Sequence, residues 1–349
     1  MGPPKIDIPT SVRRATEFLL SRQDPTGYWL DFCTPKAGWG RDWPTGYIIA
    51  LVGSALPEVV LETAISALLD CRRPDAGWAY NGIFPSDCDS TAICVIALLA
   101  SGACSRQELA SSLKFLLRHQ DPLTGGFRAF IDRDALQEYG ARMGYKPSLF
   151  EGWCKPCVSV TAVALRALGL LGLEGHATHK KGLDFLEHEY SSERGWSCYW
   201  WAGEFYPTYQ VLELLLRGSR KPSLTDNLAN ALCQIVDRFS ALQTADGCWL
   251  NTVTARPCVF STAMAMRCLQ LVDQHAAHEV VFAGAAWLLA HQQTDGGWAP
   301  SAVLRIPFPD AVNPENVVHC RAGLDGLNED ANRLFSTATV LAALRHYIA

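Results

Sequence analysis

The chain has 349 residues, 49% hydrophobic and 19% charged, enough apolar material for a large buried core. A formal net charge of −5 offers no basic surface and excludes nucleic acid as an expected partner. The first 30 residues carry no signal-peptide pattern, and no apolar run is long enough to cross a bilayer. Thirteen cysteines, an odd number scattered through apolar segments, read as reduced thiols packed as small hydrophobes, which points to a cytoplasmic protein.

Along the chain one turn recurs: Gln23…Gly27-Tyr28-Trp29, Arg73…Gly77-Trp78, Gln120…Gly126-Phe127, Gly195-Trp196, Gln243…Gly247-Cys248-Trp249 and Gln292…Gly297-Trp298. The closing aromatics are 49, 49, 69, 53 and 49 residues apart, and a period near 50 marks a repeat architecture. An amphipathic helical segment precedes the turns, as in Val12–Arg22, Leu61–Cys71, Ala110–His119 and Ala285–His291. A more apolar segment follows them: Gly46–Gly53, Ala92–Ala100, Ala162–Leu171, Tyr209–Leu216, Ala263–Val272 and Ala338–Leu344. The first kind faces solvent on one side and the second is buried all round. Six outer and six inner helices predict an all-α fold, one (α/α)6 barrel domain over residues 1–349. Insertions at about 128–156 and 300–335 have the length of lids.

One threonine per repeat is expected to open each inner helix: Thr45, Thr91, Thr161, Thr208, Thr262 and Thr337. If the ring closes, these positions surround one mouth of the barrel. Two residues before them stand Trp43, Asp89, Ser159, Tyr206, Phe260 and Phe335; four before stand Arg41, Asp87, Cys157, Glu204, Cys258 and Arg333. The mouth thus combines a carboxylate pair with aromatics. Taken alone, Asp87 and Asp89 fit a helix cap, with Ser90 or Asp89 as the capping residue.

The repeated Gln-x3-Gly-x-Trp turns, with Asp87-Cys88-Asp89-Ser90-Thr91-Ala92 before an inner helix, resemble the squalene-hopene cyclase and class II terpene cyclase family. The family's motif is Asp-x-Asp-Asp-Thr-Ala, and its middle aspartate is the proton donor; the resemblance assigns that role to Asp89 and makes Asp87 its partner. Ser90 departs from the family's third acid. The resemblance implies protonation-initiated carbocationic cyclisation of a polyprenyl-type, terpenoid or meroterpenoid, small molecule. A related cyclisation or isomerisation of a non-terpenoid natural product, and a non-catalytic binding barrel, are the competing readings. Family members usually pair two barrels. Here a second subunit of a homodimer, the insertions, or a smaller substrate must close the cavity, and delivery of a prenyl chain would allow peripheral membrane contact.

Such chemistry needs a carboxylic acid kept neutral in a dry pocket, which a nearby second carboxylate favours. Aromatic faces then stabilise the cation at about 0.5–2 kcal/mol each without trapping it. Trp43, Tyr206, Phe260, Phe335 and Trp201 are the expected lining, with Ser90, Cys157, Arg41 and Glu204 as polar contacts. No nucleotide or redox motif is present, so no cofactor is expected; magnesium enters only with a diphosphate substrate. Trp153-Cys154-Lys155-Pro156-Cys157 matches a thioredoxin-type spacing without a βαβ unit, and His188-Glu189 and His278-Glu279 lack the second histidine of a zinc helix. Arg41, Arg128, Arg133, Arg142, Lys146, Lys155, Arg256, Arg305 and Arg333, in turns toward the mouth, are weighed as a diphosphate clamp against solvated loop charges.

Overall fold

The computed structural model describes residues 7–146, 148–218, 226–272 and 277–348. Thirteen α-helices and eight short strands occur among them, in the order α1 (Ile8–Ser21), β1 (Asp31–Thr34), β2 (Gly38–Gly40), α2 (Asp42–Val52), α3 (Glu58–Asp70), β3 (Trp78–Ala79), β4 (Ser86–Asp87), α4 (Cys88–Ala100), α5 (Ala110–Arg118), α6 (Arg133–Arg142) and α7 (Val158–Leu168). The chain continues through α8 (Ala177–His188), β5 (Tyr190–Ser191), β6 (Gly195–Trp196), α9 (Phe205–Arg217), α10 (Asp226–Leu242), α11 (Val259–Val272), α12 (His278–Ala290), β7 (Ala302–Ile306), β8 (Gly326–Glu329) and α13 (Leu334–Arg345). The strands pair only as four antiparallel two-stranded ribbons.

The apolar helices α2, α4, α7, α9, α11 and α13 pack in that order, and α13 packs back on α2. They form a closed inner ring, with α1, α3, α5, α8, α10 and α12 outside it. This is the (α/α)6 barrel that the repeat period predicts.

Each inner helix begins four residues earlier than its apolar run, so every register threonine is the fourth helical residue rather than the first. These first turns carry the aromatics and small polar residues of the register, with a charge only at Asp42 and Asp89. The threonines act as latches. Thr45, Thr91, Thr161, Thr262 and Thr337 each accept the backbone N–H of their own repeat's closing aromatic, at 2.8–3.3 Å. The indole N–H of Trp29, Trp78, Trp196, Trp249 and Trp298 in turn donates to a carbonyl ten residues earlier, near the end of the outer helix, at 2.7–2.8 Å. A buried indole thus keeps its polar atom satisfied while joining three elements.

The glutamines that begin these turns reach sideways. Gln23, Gln120, Gln243 and Gln292 donate to the glycine carbonyl of their own turn and to the first turn of the next outer helix, at Val60, Thr178, Val280 and Ser11 respectively. The last of these joins the sixth repeat to the first. At this joint Gly296 has φ +92°, and a Cβ would lie 2.3 Å from the Arg14 carbonyl, so only glycine fits.

Candidate active site

The N-terminal ends of the inner helices share one end of the barrel, and the residues four before each threonine are their caps or lie directly before them. Asp87 caps α4: its Oδ1 accepts the Ser90 N–H at 2.7 Å. The cap is therefore Asp87, not Ser90 or Asp89. This frees Asp89, in the first helical turn, to face inward.

A cavity of about 800 Å3 opens above this end. Trp43, Asp87, Asp89, Ser90 and Trp201 line it together with Tyr80 and Phe84 from the β3–β4 ribbon. Phe130, Tyr139, Tyr145 and Trp153 come from the first insertion, and Leu304, Ile306 and Leu324 from the second. No lysine or arginine is among the described lining residues.

The two insertions form the roof. The Gly152 and Trp153 amides both donate to the Pro309 carbonyl, at 2.9 and 3.2 Å, and the Trp153 indole donates to Pro307 at 3.0 Å. β7 is tied to the loop before α9, with the Ala202 amide on Val303 and the Arg305 amide on Trp200. The chain's own insertions cover part of the cavity.

Asp89 is half-buried, with its remaining surface toward the cavity, and its Oδ1 is buried without a partner. Burial, then the neighbouring Asp87 charge, pushes its carboxyl up to about 8, against a small opposing effect of the Trp43 indole. Burial likewise pushes Asp87 up to about 7, opposed by the Ser90 amide, and its Oδ2 is buried and unpaired. At neutral pH the raised carboxyls retain a proton shared by the pair. Such a group can donate to a substrate that has no basic atom of its own.

The remaining predicted lining residues are distributed differently. Trp201 occupies the centre of the barrel end, 5.7 Å from Trp43 between ring centroids, 3.8 Å from Tyr206, 5.6 Å from Phe260 and 5.5 Å from Phe335. Phe335 stacks on Tyr47 at 3.8 Å and on Trp43 at 5.0 Å. Tyr206, Phe260 and Phe335 thus form a floor behind Trp43 and Trp201, and they do not line the cavity. Cys157 is buried against Cys198, Sγ–Sγ 3.2 Å, with Ser159 beside both. Arg41 turns to Asp42, Nε–Oδ1 2.6 Å, and covers the Tyr28 ring. Glu204 is held by both arms of Arg238, at 2.7 and 2.9 Å. Arg128 pairs with Asp121 and Arg333 with Asp295, which engages both away from the cavity.

The lining aromatics that the repeat register does not point to are Tyr80, Phe84, Phe130, Tyr139 and Tyr145. Phe130, Tyr139 and Tyr145 belong to the first insertion, Tyr139 on its short helix α6, and Tyr80 and Phe84 to the β3–β4 loop, all outside the inner-helix register; for the first three the signal available was the length of the insertion. Among the described residues no group of three His, Cys, Asp or Glu is arranged to hold a metal ion.

No protein-family profile and no curated protein matches the chain. Solved structures do. A protein from Actinoplanes superposes with a TM-score of 0.83 at 26% identity, covering 98% of this chain and 100% of that one. The type II terpene cyclase MstE from Scytonema superposes with a TM-score of 0.82 at 27% identity, covering 98% of both chains. The ent-copalyl diphosphate synthase of Streptomyces platensis shares the fold at 18% identity and a TM-score of 0.60, over 88% of this chain and 50% of its own. By its barrel and by this end-to-end likeness, the chain has the fold of the type II terpene cyclases.

Proposed function

We propose that the protein is a class II terpene cyclase that takes a polyprenyl-type meroterpenoid precursor, with Asp89 as the general acid and Asp87 as its partner. The observation that carries this reading is a close pair of aspartates, each with a buried, unpaired carboxyl oxygen and each raised by burial, at a cavity walled by aromatic rings. MstE has been captured with geranylgeranyl dihydroxybenzoate as substrate and with merosterolic acid A as product.

Asp89 donates its proton to the terminal alkene, and the electron pair of that double bond forms the new C–H bond. The resulting cation is attacked by the next alkene of the folded chain, which closes a ring and moves the positive charge onward. Trp43 and Trp201 present ring faces to that charge, and neither can add to it as an amine or hydroxyl would. The roof and the apolar lining limit the access of water, which would otherwise capture the cation as an alcohol. Loss of a proton from the last cation restores the balance, so the product is an isomer of the substrate. No redox partner is consumed.

The test is a reaction in D2O with a linear prenylated arene. A cyclic product of unchanged composition, apart from one deuterium fixed at the site of first protonation, is expected. Recovery of unlabelled linear material under conditions where the substrate binds would overturn the assignment.

Two further outcomes follow from the cavity. Because Asp89 must be protonated, turnover should be flat below pH 7 and fall about tenfold per unit once the pH passes the group's value of about 8. Because no cationic side chain lines the cavity, a diphosphate would meet an aspartate pair and no clamp. Turnover should therefore be unchanged by a chelator, and prenyl diphosphates should be turned over far more slowly than the prenylated arene in a side-by-side assay.

A further inference from the structure

A second cavity, of about 540 Å3, lies at the opposite end of the barrel, where the inner helices finish. Arg217 of α9, Arg267 and Gln270 of α11 and Arg345 of α13 line it, with Tyr209, Glu213 and the exposed His346. Aromatic rings separate it from the aspartate cavity. Ten residues of helix, or about 15 Å, lie between Phe260 and Gln270 on α11.

Its inner wall carries an excess of positive charge. The Glu213 carboxylate accepts the Tyr209 hydroxyl at 2.6 Å and lies 3.6 Å from Arg166 and 4.0 Å from Arg267. One carboxylate thus serves two guanidinium groups. Arg267 also bonds to the Tyr209 hydroxyl and lies over that ring, 4.2 Å from its centroid. Its Nη1 is nevertheless buried with no hydrogen-bond partner. A buried guanidinium N–H left unpaired is costly, and an excess buried charge more so. Arg217 and Arg345, in the last turns of α9 and α13, are accounted for by the negative helix ends. Arg267 lies more than a turn inside α11, out of reach of that explanation.

We propose that this cavity is a binding site for a phosphate-type anion, inorganic phosphate or diphosphate. Three guanidinium groups from three neighbouring helices match the several oxygens of a phosphate better than the two of a carboxylate. The anion would offset the charge that Glu213 leaves uncompensated. Diphosphate is what a prenyl transfer releases, so the class of reaction that makes a prenylated substrate also makes this ligand.

Calorimetric titration of the purified protein with inorganic phosphate and with inorganic diphosphate, at matched ionic strength in chloride, tests the site without reference to turnover. Saturable binding is expected, weakened about tenfold in each of the rim variants Arg217→Gln and Arg345→Gln and further in Arg267→Met. The rim positions keep the test valid if Arg267→Met fails to fold. Tighter binding of diphosphate identifies prenyl transfer as the source; equal binding identifies free phosphate, and both uphold the site. Absence of saturable binding of either anion, or binding undiminished in both rim variants, overturns it. Because the titration reads binding alone, its failure leaves the cyclase assignment untouched.

Discussion

Asp89→Asn is expected to abolish turnover while leaving the protein at least as stable as before. Loss of a general acid costs roughly 10²–10⁴ in rate, and here no cation forms without it. The amide keeps the shape of the side chain beside Trp43, and the cap of α4 is untouched because Asp87 supplies it. Relative to the wild type, the variant should gain stability as pH rises. In the unfolded chain the carboxyl titrates near 3.8; in the folded protein burial and Asp87 raise it to about 8. Between these values the folded state holds a proton that the unfolded state has released, so the native protein loses stability as pH rises through this window. Asparagine removes that slope. The advantage of the variant should be absent below pH 4, grow through neutrality and level off above pH 8, as read from melting temperatures across the range. Asp87→Asn should retain measurable turnover with a shifted pH optimum, since that group tunes its neighbour, and should cost about 1 kcal/mol as a weakened cap. Wild-type turnover by Asp89→Asn would end the mechanism proposed here.

The largest loss of stability is expected at Asp31. This carboxylate, fully buried after the first repeat's turn, accepts four backbone N–H groups: Phe32 and Asn332 on Oδ1, both at 3.0 Å, and Leu334 and Phe335 on Oδ2, at 2.8 and 3.0 Å. It caps α13 from the opposite side of the chain's closure. Asp330 does the same for Ser301 and Ser336, at 2.6 and 2.7 Å. Burial raises both carboxyls, and the amide donors oppose the shift at each. Asp31→Ala strands four buried donors at about 1–3 kcal/mol each, so a loss upwards of about 4 kcal/mol is expected in denaturant titrations. Asp31→Asn turns an amide N–H toward two of those donors and should lose about half as much. If alanine costs under 1 kcal/mol, the second insertion and α13 are held by packing alone.

The ring of helices was legible because the repeat is written twice, once in aromatics and once in threonines. What the threonines do was not legible: a hydroxyl at the fourth helical position accepts a distant amide, and a sequence shows only that it recurs. The same register put Asp87 and Asp89 at one mouth with Trp43. It could not show that Trp201, from an irregular turn, occupies the centre and leaves Tyr206, Phe260 and Phe335 behind it. Nor could it show where flexible charged side chains point. Arg41 and Glu204 stand at helix starts like Asp87, yet Asp42 and Arg238 draw them away from the cavity. The roof, contributed by Phe130, Tyr139, Tyr145, Trp153, Leu304 and Ile306, was visible only as two segments too long to be turns.

The glutamine clasp between Gln292 and Ser11 makes the same two bonds as the clasp between Gln23 and Val60, although only the second is bridged by a covalent chain. The barrel is therefore a cyclic object encoded on a linear polymer. Its sixth joint is held by hydrogen bonds and by the close approach of Gly296 to Arg14 as firmly as the others are by theirs. In such a band the position of the covalent gap is an accident of gene order, not a property of the architecture. A permuted chain that begins at another of the six units is expected to fold to the same ring, as read from its circular dichroism and melting temperature.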